Sequence, residues 1–351
     1  MRDKVTLFFG VFSVMALSNA IVPVLPAFSD SPSWTGAIYA AYFLGAFVST
    51  LPAGILSDRF GPPALMRTGL VLTVAGGVVL LLSGSAPLTV AGRFAEGIGA
   101  GLFIAPAMAV VNRRPDHEKM SGYFLALLNA GLVIGLIAAG VLSIMTGLPA
   151  AGILLFSALA VIPLLTSAGF RQEYPAPAGH GLVQSWEIFR KYRWVLFSSV
   201  ILIGATGVAT ALFPDHSALP SDAAGFWIAG MSIATIVAVL VISRFPFEEI
   251  RMIQFSSLLM ALGILLLAWS PVGLLVLGAV ADLVMIAQMA LLAGEREHQG
   301  IAMGLFSTSS YLGMALLPFL AGLVADLSGI VSAFAVTAVF SCMVAFVAGR
   351  K

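Results

Sequence analysis

Three ionisable side chains stand where the chain is otherwise apolar: Arg93, Glu96 and Asp282. Arg93 and Glu96 belong to Arg-Phe-Ala-Glu-Gly-Ile-Gly-Ala-Gly, residues 93–101. Three residues apart, they share one face of a helix and partly neutralise each other. Asp282 lies near the middle of a later apolar run with no basic residue beside it. A carboxyl in that setting can take up and release a proton, whereas Glu96 has Arg93 as counter-ion. A purely architectural alternative exists for each: an internal ion pair that orients its helix, and an acid hydrogen-bonded to neighbouring helices. Ionisable groups inside apolar spans face a partner or a wet cavity rather than lipid, which favours a functional reading. The four histidines are expected in loops, with no spacing that suggests a metal site.

These residues must be held by helices that cross a bilayer. The chain of 351 residues is 60% hydrophobic and 9% charged, against about 45–50% and about 25% in soluble domains. That excludes an ordinary water-soluble protein. Apolar runs fall at 5–28, 35–57, 64–83, 88–111, 120–143 and 149–168, then at 194–213, 223–243, 250–269, 272–292, 300–325 and 330–349. Each is close to the roughly 20 residues needed to span. Helices are the expected form because lipid cannot satisfy open strand edges. The first run, with Arg2 and Lys4 ahead of it and Ser18-Asn19-Ala20 within it, is too long for a signal-peptide core and is read as a span. The single cysteine, Cys342, excludes an intramolecular disulfide, and a net charge of +1 gives no argument for a nucleic-acid partner.

Charge orients the spans. Sixteen of the 17 basic residues fall at alternate ends, from Arg2 and Lys4 through Arg59, Arg67, Arg113, Arg114 and Lys119 to Arg350 and Lys351. The seventeenth is Arg93. The positive-inside rule predicts that this side, and both termini, face the cytoplasm of a cell (inner) membrane. Trp34, Trp186, Trp194 and Trp269, near predicted span ends, read as interfacial anchors.

A shift of 182 residues without a gap aligns Gly122 with Gly304, Phe124 with Phe306, Gly131 with Gly313, Ala139 with Ala321, Gly140 with Gly322, Gly147 with Gly329 and Ala151 with Ala333. The expected organisation is a six-helix bundle at 1–168, a cytoplasmic linker at 169–193 and a second six-helix bundle at 194–351, related as parallel repeats. Within the linker, Leu182, Val183, Trp186 and Phe189 recur at helical spacing opposite Gln184, Glu187 and Lys191, predicting an amphipathic helix on the membrane surface.

The second span ends in Gly54-Ile55-Leu56-Ser57-Asp58-Arg59-Phe60-Gly61, which resembles the loop signature between the second and third helices of the major facilitator superfamily. Residues 93–101 are similar to that superfamily's fourth-helix motif. The basic pair usual after the loop glycine is replaced by Pro62-Pro63, leaving Arg67 as substitute, and Leu136 stands where the antiporter motif of the fifth span has proline. The resemblance implies an all-α membrane protein with twelve transmembrane helices in two six-helix bundles related by a parallel pseudo-two-fold repeat. It also implies a central cavity lined by spans one, four, seven and ten, where Asn19, Arg93, Glu96, Thr206, Thr210, Asp282 and Gln288 form a sparse polar lining. Gly54, Asp58, Arg59, Gly61 and Arg67 are the expected gate, with Asp58 latching onto the start of the eleventh span near Gly300. Ser307 to Tyr311 and Asn129 are read as helix-to-helix hydrogen bonds.

The expected function is secondary active transport of a small lipophilic neutral or cationic solute by alternating access, in the manner of the drug-exporter-like branch. Proton coupling is assigned to Asp282, Glu96 and Arg93. No nucleotide-binding signature, protease motif or cofactor site is legible. An uncoupled facilitator or uptake symporter of the same fold, and a receptor or scaffold that does not transport, are the alternatives. The expected working unit is a monomer in the lipid bilayer.

Overall fold

The structure is a computed structural model that describes residues 2–112, 116–169, 182–242, 248–294 and 299–347. Within these stretches the side chains of residues 2, 51, 54, 55, 57–59, 112, 117, 118, 182–185, 242, 299 and 300 lie outside the description. Among the described residues every long element is a helix. The first, α1, runs over Val5–Ala20 and continues after a 44° bend as Val22–Phe28. It is followed by α2 (Pro32–Phe60), α3 (Pro62–Leu81), α4 (Ala86–Asn112), α5 (His117–Thr146) and α6 (Ala151–Ser167). Then come α7 (Leu182–Ser217), α8 (Ser221–Ile242), α9 (Glu249–Leu266), α10 (Val272–Leu292), α11 (Gln299–Ser328) and α12 (Ile330–Val347). Among the described residues nine of these are long and apolar enough to cross a membrane, and the bent α1 makes ten. The 29-residue α2 and the 17-residue α6 bring the set to twelve.

The helix ends follow local chemistry. Pro23 and Pro26 cannot continue the amide ladder of α1, and the segment from Val22 tightens into a 3₁₀ turn that bends away. Gly61 separates α2 from α3 at φ +79°, a conformation suited to glycine, and Pro62 and Pro63 then open α3 where no amide donor is required. Gly147 and Gly329, partners in the internal repeat, end α5 and α11 with φ +69° and +89°.

The chain packs as two units. The first comprises α1, α2 from Ala41 onward, α3 to α6, and Leu219–Phe226 around the start of α8. The second comprises Asp30–Ala40 around the start of α2, α7, α8 from Trp227 onward, and α9 to α12. In the first unit α3 packs on α4 and α1 on α5, with α6 against both α3 and α1. The second repeats this pattern with α9 on α10, α7 on α11, and α12 against α9 and α7.

The repeated glycines do the same work in each unit. A methyl on Gly131 would strike the backbone of α1 at Phe12, and one on its mate Gly313 would strike α7 at Val200. Gly140 is pressed against the Ser221 carbonyl at the start of α8, and Gly322 against the Pro32 carbonyl at the start of α2. Small residues let helix backbones close on one another where no apolar driving force separates protein from lipid. Large apolar side chains such as Leu154, Leu165, Phe197, Phe255 and Phe346 point outward, as a hydrocarbon surround permits.

The first apolar run forms a span with a bend. One sequence expectation is corrected, that of all histidines in loops: α7 extends past its apolar run, through Pro214 to Ser217. His216 therefore sits in the last turn of α7, where its Nε2 pairs with the Ala268 carbonyl at 3.2 Å, and His117 begins α5. His180 and His298 lie outside the described residues.

Candidate functional site

The charge pair of α4 is sealed inside the first unit. Gly92, Gly97 and Gly99 bring the α4 backbone against α2 and α3: a Cβ on Gly97 would collide with the Tyr42 carbonyl, and one on Gly99 would lie 2.6 Å from the Gly69 carbonyl. The long side chains between these glycines are enclosed as a result. Arg93 and Glu96 are each 1% exposed. Arg93 Nη1 donates to Glu96 Oε2 at 2.6 Å, and the guanidinium lies 4.7 Å from the centre of the Tyr42 ring. This cation–π contact supplies a second favourable electrostatic partner in a setting that withholds water. Gly76 of α3 makes room for the Glu96 methylene group.

The pair keeps unused capacity. Arg93 Nε, Glu96 Oε1 and, one turn along the α3–α4 seam, Thr73 Oγ1 are buried without a hydrogen-bond partner among the described residues. Most buried polar atoms in folded proteins are satisfied, so three orphans on neighbouring turns single out this seam. A carboxylate with one oxygen held by Arg93 and the other free can accept a proton or a water on the free oxygen.

The second unit carries its own polar set on α7 and α10. Gln288, fully buried on α10, donates from Nε2 to Ser198 Oγ on α7 at 2.8 Å, and its Oε1 has no partner among the described residues. Asp282, nearly two turns earlier on α10, is half-buried and makes no described hydrogen bond or ion pair. Thr206 and Thr210 of α7 turn their hydroxyls onto their own helix, at Ile203 O and Thr206 O, and Thr206 also approaches Met314 Sδ at 3.8 Å. An open apolar crevice of about 520 Å³ lies between α8 and α10, lined by Gly230, Ile233, Val237, Leu275 and Ala279 among others. It offers no polar side chain to a solute.

Of the expected cavity residues, the structure groups Arg93 with Glu96 in the first unit and Gln288 with Ser198 in the second. Asn19 is tied elsewhere, donating to the Leu132 carbonyl of α5 at 3.2 Å. Of the expected gate, Gly61 forms the α2–α3 turn. Arg67 Nη2 donates to the Ser167 carbonyl at 2.9 Å, so its charge meets the end of α6, where carbonyls are unpaired. The side chains of Asp58 and Arg59, and Gly54, lie outside the described residues, as does the side-chain environment of Gly300. Ser310 bears out a helix-to-helix bond, pairing with Ser199 of α7 at 3.0 Å, whereas Asn129 turns back onto the Leu125 carbonyl of its own helix.

The sequence profile of the Major Facilitator Superfamily matches residues 7–293. This chain belongs to that superfamily. Among curated relatives, the Quinolone resistance protein NorA of Staphylococcus aureus (strain MSSA476) is 23% identical, with 91% of this chain and 89% of NorA aligned. The Probable anion transporter 6, chloroplastic, of Arabidopsis thaliana is 32% identical over 127 residues, covering 35% of this chain and 25% of the relative. Among solved structures, the nucleoside transporter NupG matches with a TM-score of 0.80 at 15% identity over the whole of both chains. A bacterial homologue of the human lysosomal transporter Spinster, in an inward-facing and unoccupied conformation, matches with a TM-score of 0.74 at 14% identity, covering 99% of this chain and 96% of that one. At these identities the solved structures show the fold alone; together with the superfamily profile it is that of a twelve-helix, multi-pass membrane protein.

Two residues of this major facilitator chain escaped sequence reasoning. Tyr42, the aromatic partner of Arg93, sits in an apolar stretch of α2 and nothing in its spacing ties it to α4. Asp215, near the end of α7, accepts from Thr35 Oγ1 at the start of α2 at 2.6 Å. The Ser33 amide likewise donates to Asp326 Oδ1 at 3.2 Å. The run Pro214-Asp215 after an apolar stretch was the only cue, and it reads equally well as a turn.

Proposed function

We propose that this chain is a secondary transporter that exports a small lipophilic neutral or cationic solute across the cell membrane in exchange for protons, by alternating access. The basic loops and both termini are taken to face the cytoplasm, the bundles at 1–168 and 194–351 to be the moving parts, and a single chain to be the working unit. The observation that carries the coupling is Asp282: a half-buried acid in mid-span of α10 without a described partner. Such a group is free to cycle between protonated and ionised forms as its access to water alternates. Glu96, with one oxygen held by Arg93 and one free, supplies a second protonatable position.

The solute class rests on the sparse polar lining and on the likeness to NorA, a quinolone resistance protein, along nearly all of both chains. The shorter match to an anion transporter covers about a third of this chain and gives no charge to hold an anion, since Arg93 is already paired with Glu96.

The test is flux of a fluorescent cationic dye in sealed proteoliposomes with an imposed pH gradient. Wild-type protein should move dye against its gradient only when protons run the other way. Asp282→Asn should lose gradient-driven accumulation while dye binding and folding persist. Dye flux indifferent to the pH gradient would replace the antiporter by an uncoupled facilitator. No flux at all, with binding retained, would favour a non-transporting receptor.

A further inference from the structure

Residues 186–191 of α7 stand ahead of a break in that helix and carry a distinctive set of exposed side chains. Helical geometry is interrupted at Tyr192 (φ −108°, ψ 15°), which separates residues 186–191 from the spanning part of α7. Ile188 points inward at 5% exposure and packs in a core cluster with Val195, Leu292 and Ala302, so the segment is seated on the adjoining ends of α10 and α11. Trp186 and Phe189, three residues apart, share the opposite side. Their rings stack with centroids 5.4 Å apart, and they are 61% and 39% exposed. Arg190 follows on that side, Lys191 flanks it, and Arg193 lies just beyond the kink, all exposed; Glu187 is the one exposed acid of the segment.

The stacked pair presents aromatic surface outward from the described residues. Amphipathic aromatic rings settle at the level of lipid headgroups, and flanking guanidinium groups reach phosphate through paired N–H donors. Because α7 leads from this segment, past the kink at Tyr192, into its apolar run, the surface the segment meets is the interface of the bilayer itself. We propose that residues 186–193 are a docking surface for anionic phospholipid, in which Trp186 and Phe189 enter the interface and Arg190 and Arg193 hold the headgroup phosphate. Charge complementarity selects the occupant: three basic side chains against one acid disfavour a zwitterionic headgroup, whose ammonium would meet like charge. The inference needs α7 to cross the membrane and is independent of what the protein transports.

Two measurements on the full chain test it. In the first, detergent-solubilised protein is melted with added phosphatidylglycerol, phosphatidylcholine or inorganic phosphate. Phosphatidylglycerol should raise the melting temperature by several degrees, the other two should not, and Arg190→Gln with Arg193→Gln should lose at least half of the shift. In the second, brominated lipids quench tryptophan fluorescence in nanodiscs, with Trp186→Phe as the blank for this position. Quenching assigned to Trp186 should be at least twofold stronger with brominated phosphatidylglycerol than with brominated phosphatidylcholine, and the difference should shrink in 0.5 M salt. Equal quenching by both lipids, a melting shift matched by inorganic phosphate, or a shift untouched by the double substitution would each overturn the proposal. Both arginines are exposed, so their replacement should leave the unliganded melting temperature unchanged.

Discussion

Removing one partner of the Arg93–Glu96 pair should be far worse than removing both. In Arg93→Leu, the Glu96 carboxylate stays at 1% exposure with its 2.6 Å partner gone, and its other oxygen already lacks a hydrogen bond. Breaking a buried pair in this way costs about 3–5 kcal/mol. The lost contact with the Tyr42 ring adds about 0.5–2 kcal/mol. In Glu96→Leu the guanidinium is stranded but keeps Tyr42, so its cost should fall at the lower end of the same range. In the double variant no buried charge remains, and apolar replacement of a buried pair is often neutral or stabilising by about 1–4 kcal/mol. The coupling energy of the cycle should therefore be at least about 3 kcal/mol, well above the roughly 0.3–0.5 kcal/mol scatter of independent sites. With about 2–4 °C per kcal/mol for a cooperative unit of 150–250 residues, Glu96→Leu should melt roughly 6–20 °C below wild type and Arg93→Leu, at about 3.5–7 kcal/mol, roughly 7–28 °C below. The assay is thermal unfolding of the four purified proteins in one detergent, followed by a tryptophan-independent thiol or scattering readout. A double variant that melts near the sum of the two single losses would refute the reasoning, because it would mean that the charges do not compensate each other.

Two further stability predictions use the same assay. Ser198→Ala should cost about 1–3 kcal/mol because it strands the fully buried Gln288 amide, whereas Gln288→Leu, which removes donor and orphan acceptor together, should be nearly neutral; equal losses would show that the bond itself is what matters. Gly97→Ala should cost about 1–3 kcal/mol by forcing α4 off the Tyr42 backbone, while Gly122→Ala and its repeat mate Gly304→Ala, which face open space, should change little or stabilise slightly; comparable losses at all three positions would contradict the packing described.

Much of the architecture was legible because lipid imposes it. Spans are long apolar runs, and the 182-residue repeat singled out glycines such as Gly131 and Gly313 that meet helix backbones in corresponding places. The pairing of Arg93 with Glu96 was legible because both lie on one helix. Partners on other helices were not. When every face of a helix is apolar, the polar stripe that orients a soluble helix is missing, so nothing in α2 marked Tyr42 as the residue that would lie against Arg93. Asn19 and Gln288 were recognisable as polar groups in apolar runs, but their choice of the Leu132 carbonyl and the Ser198 hydroxyl depends on helix rotation. The bend in α1 had its cause in plain view at Pro23 and Pro26. Apolar content alone, which lets proline pass, hid it.

The exchanged helix starts have a bearing on how this polypeptide can be divided. Residues Asp30–Ala40 are coded in the first half yet pack with the second, where Thr35 meets Asp215, Ser33 meets Asp326, and Pro32 abuts Gly322. Leu219–Phe226 make the reverse exchange, with Ser221 against Gly140 and Gly225 against Leu136. The genetic seam and the packing seam are thus different lines through the molecule. A gene split between residues 169 and 193 would yield two polypeptides, each displaying a loose helix end shaped for a seat on the other. The fragments should be poor as separate products and should find each other when made in the same cell, as two hands do when each holds the other's glove.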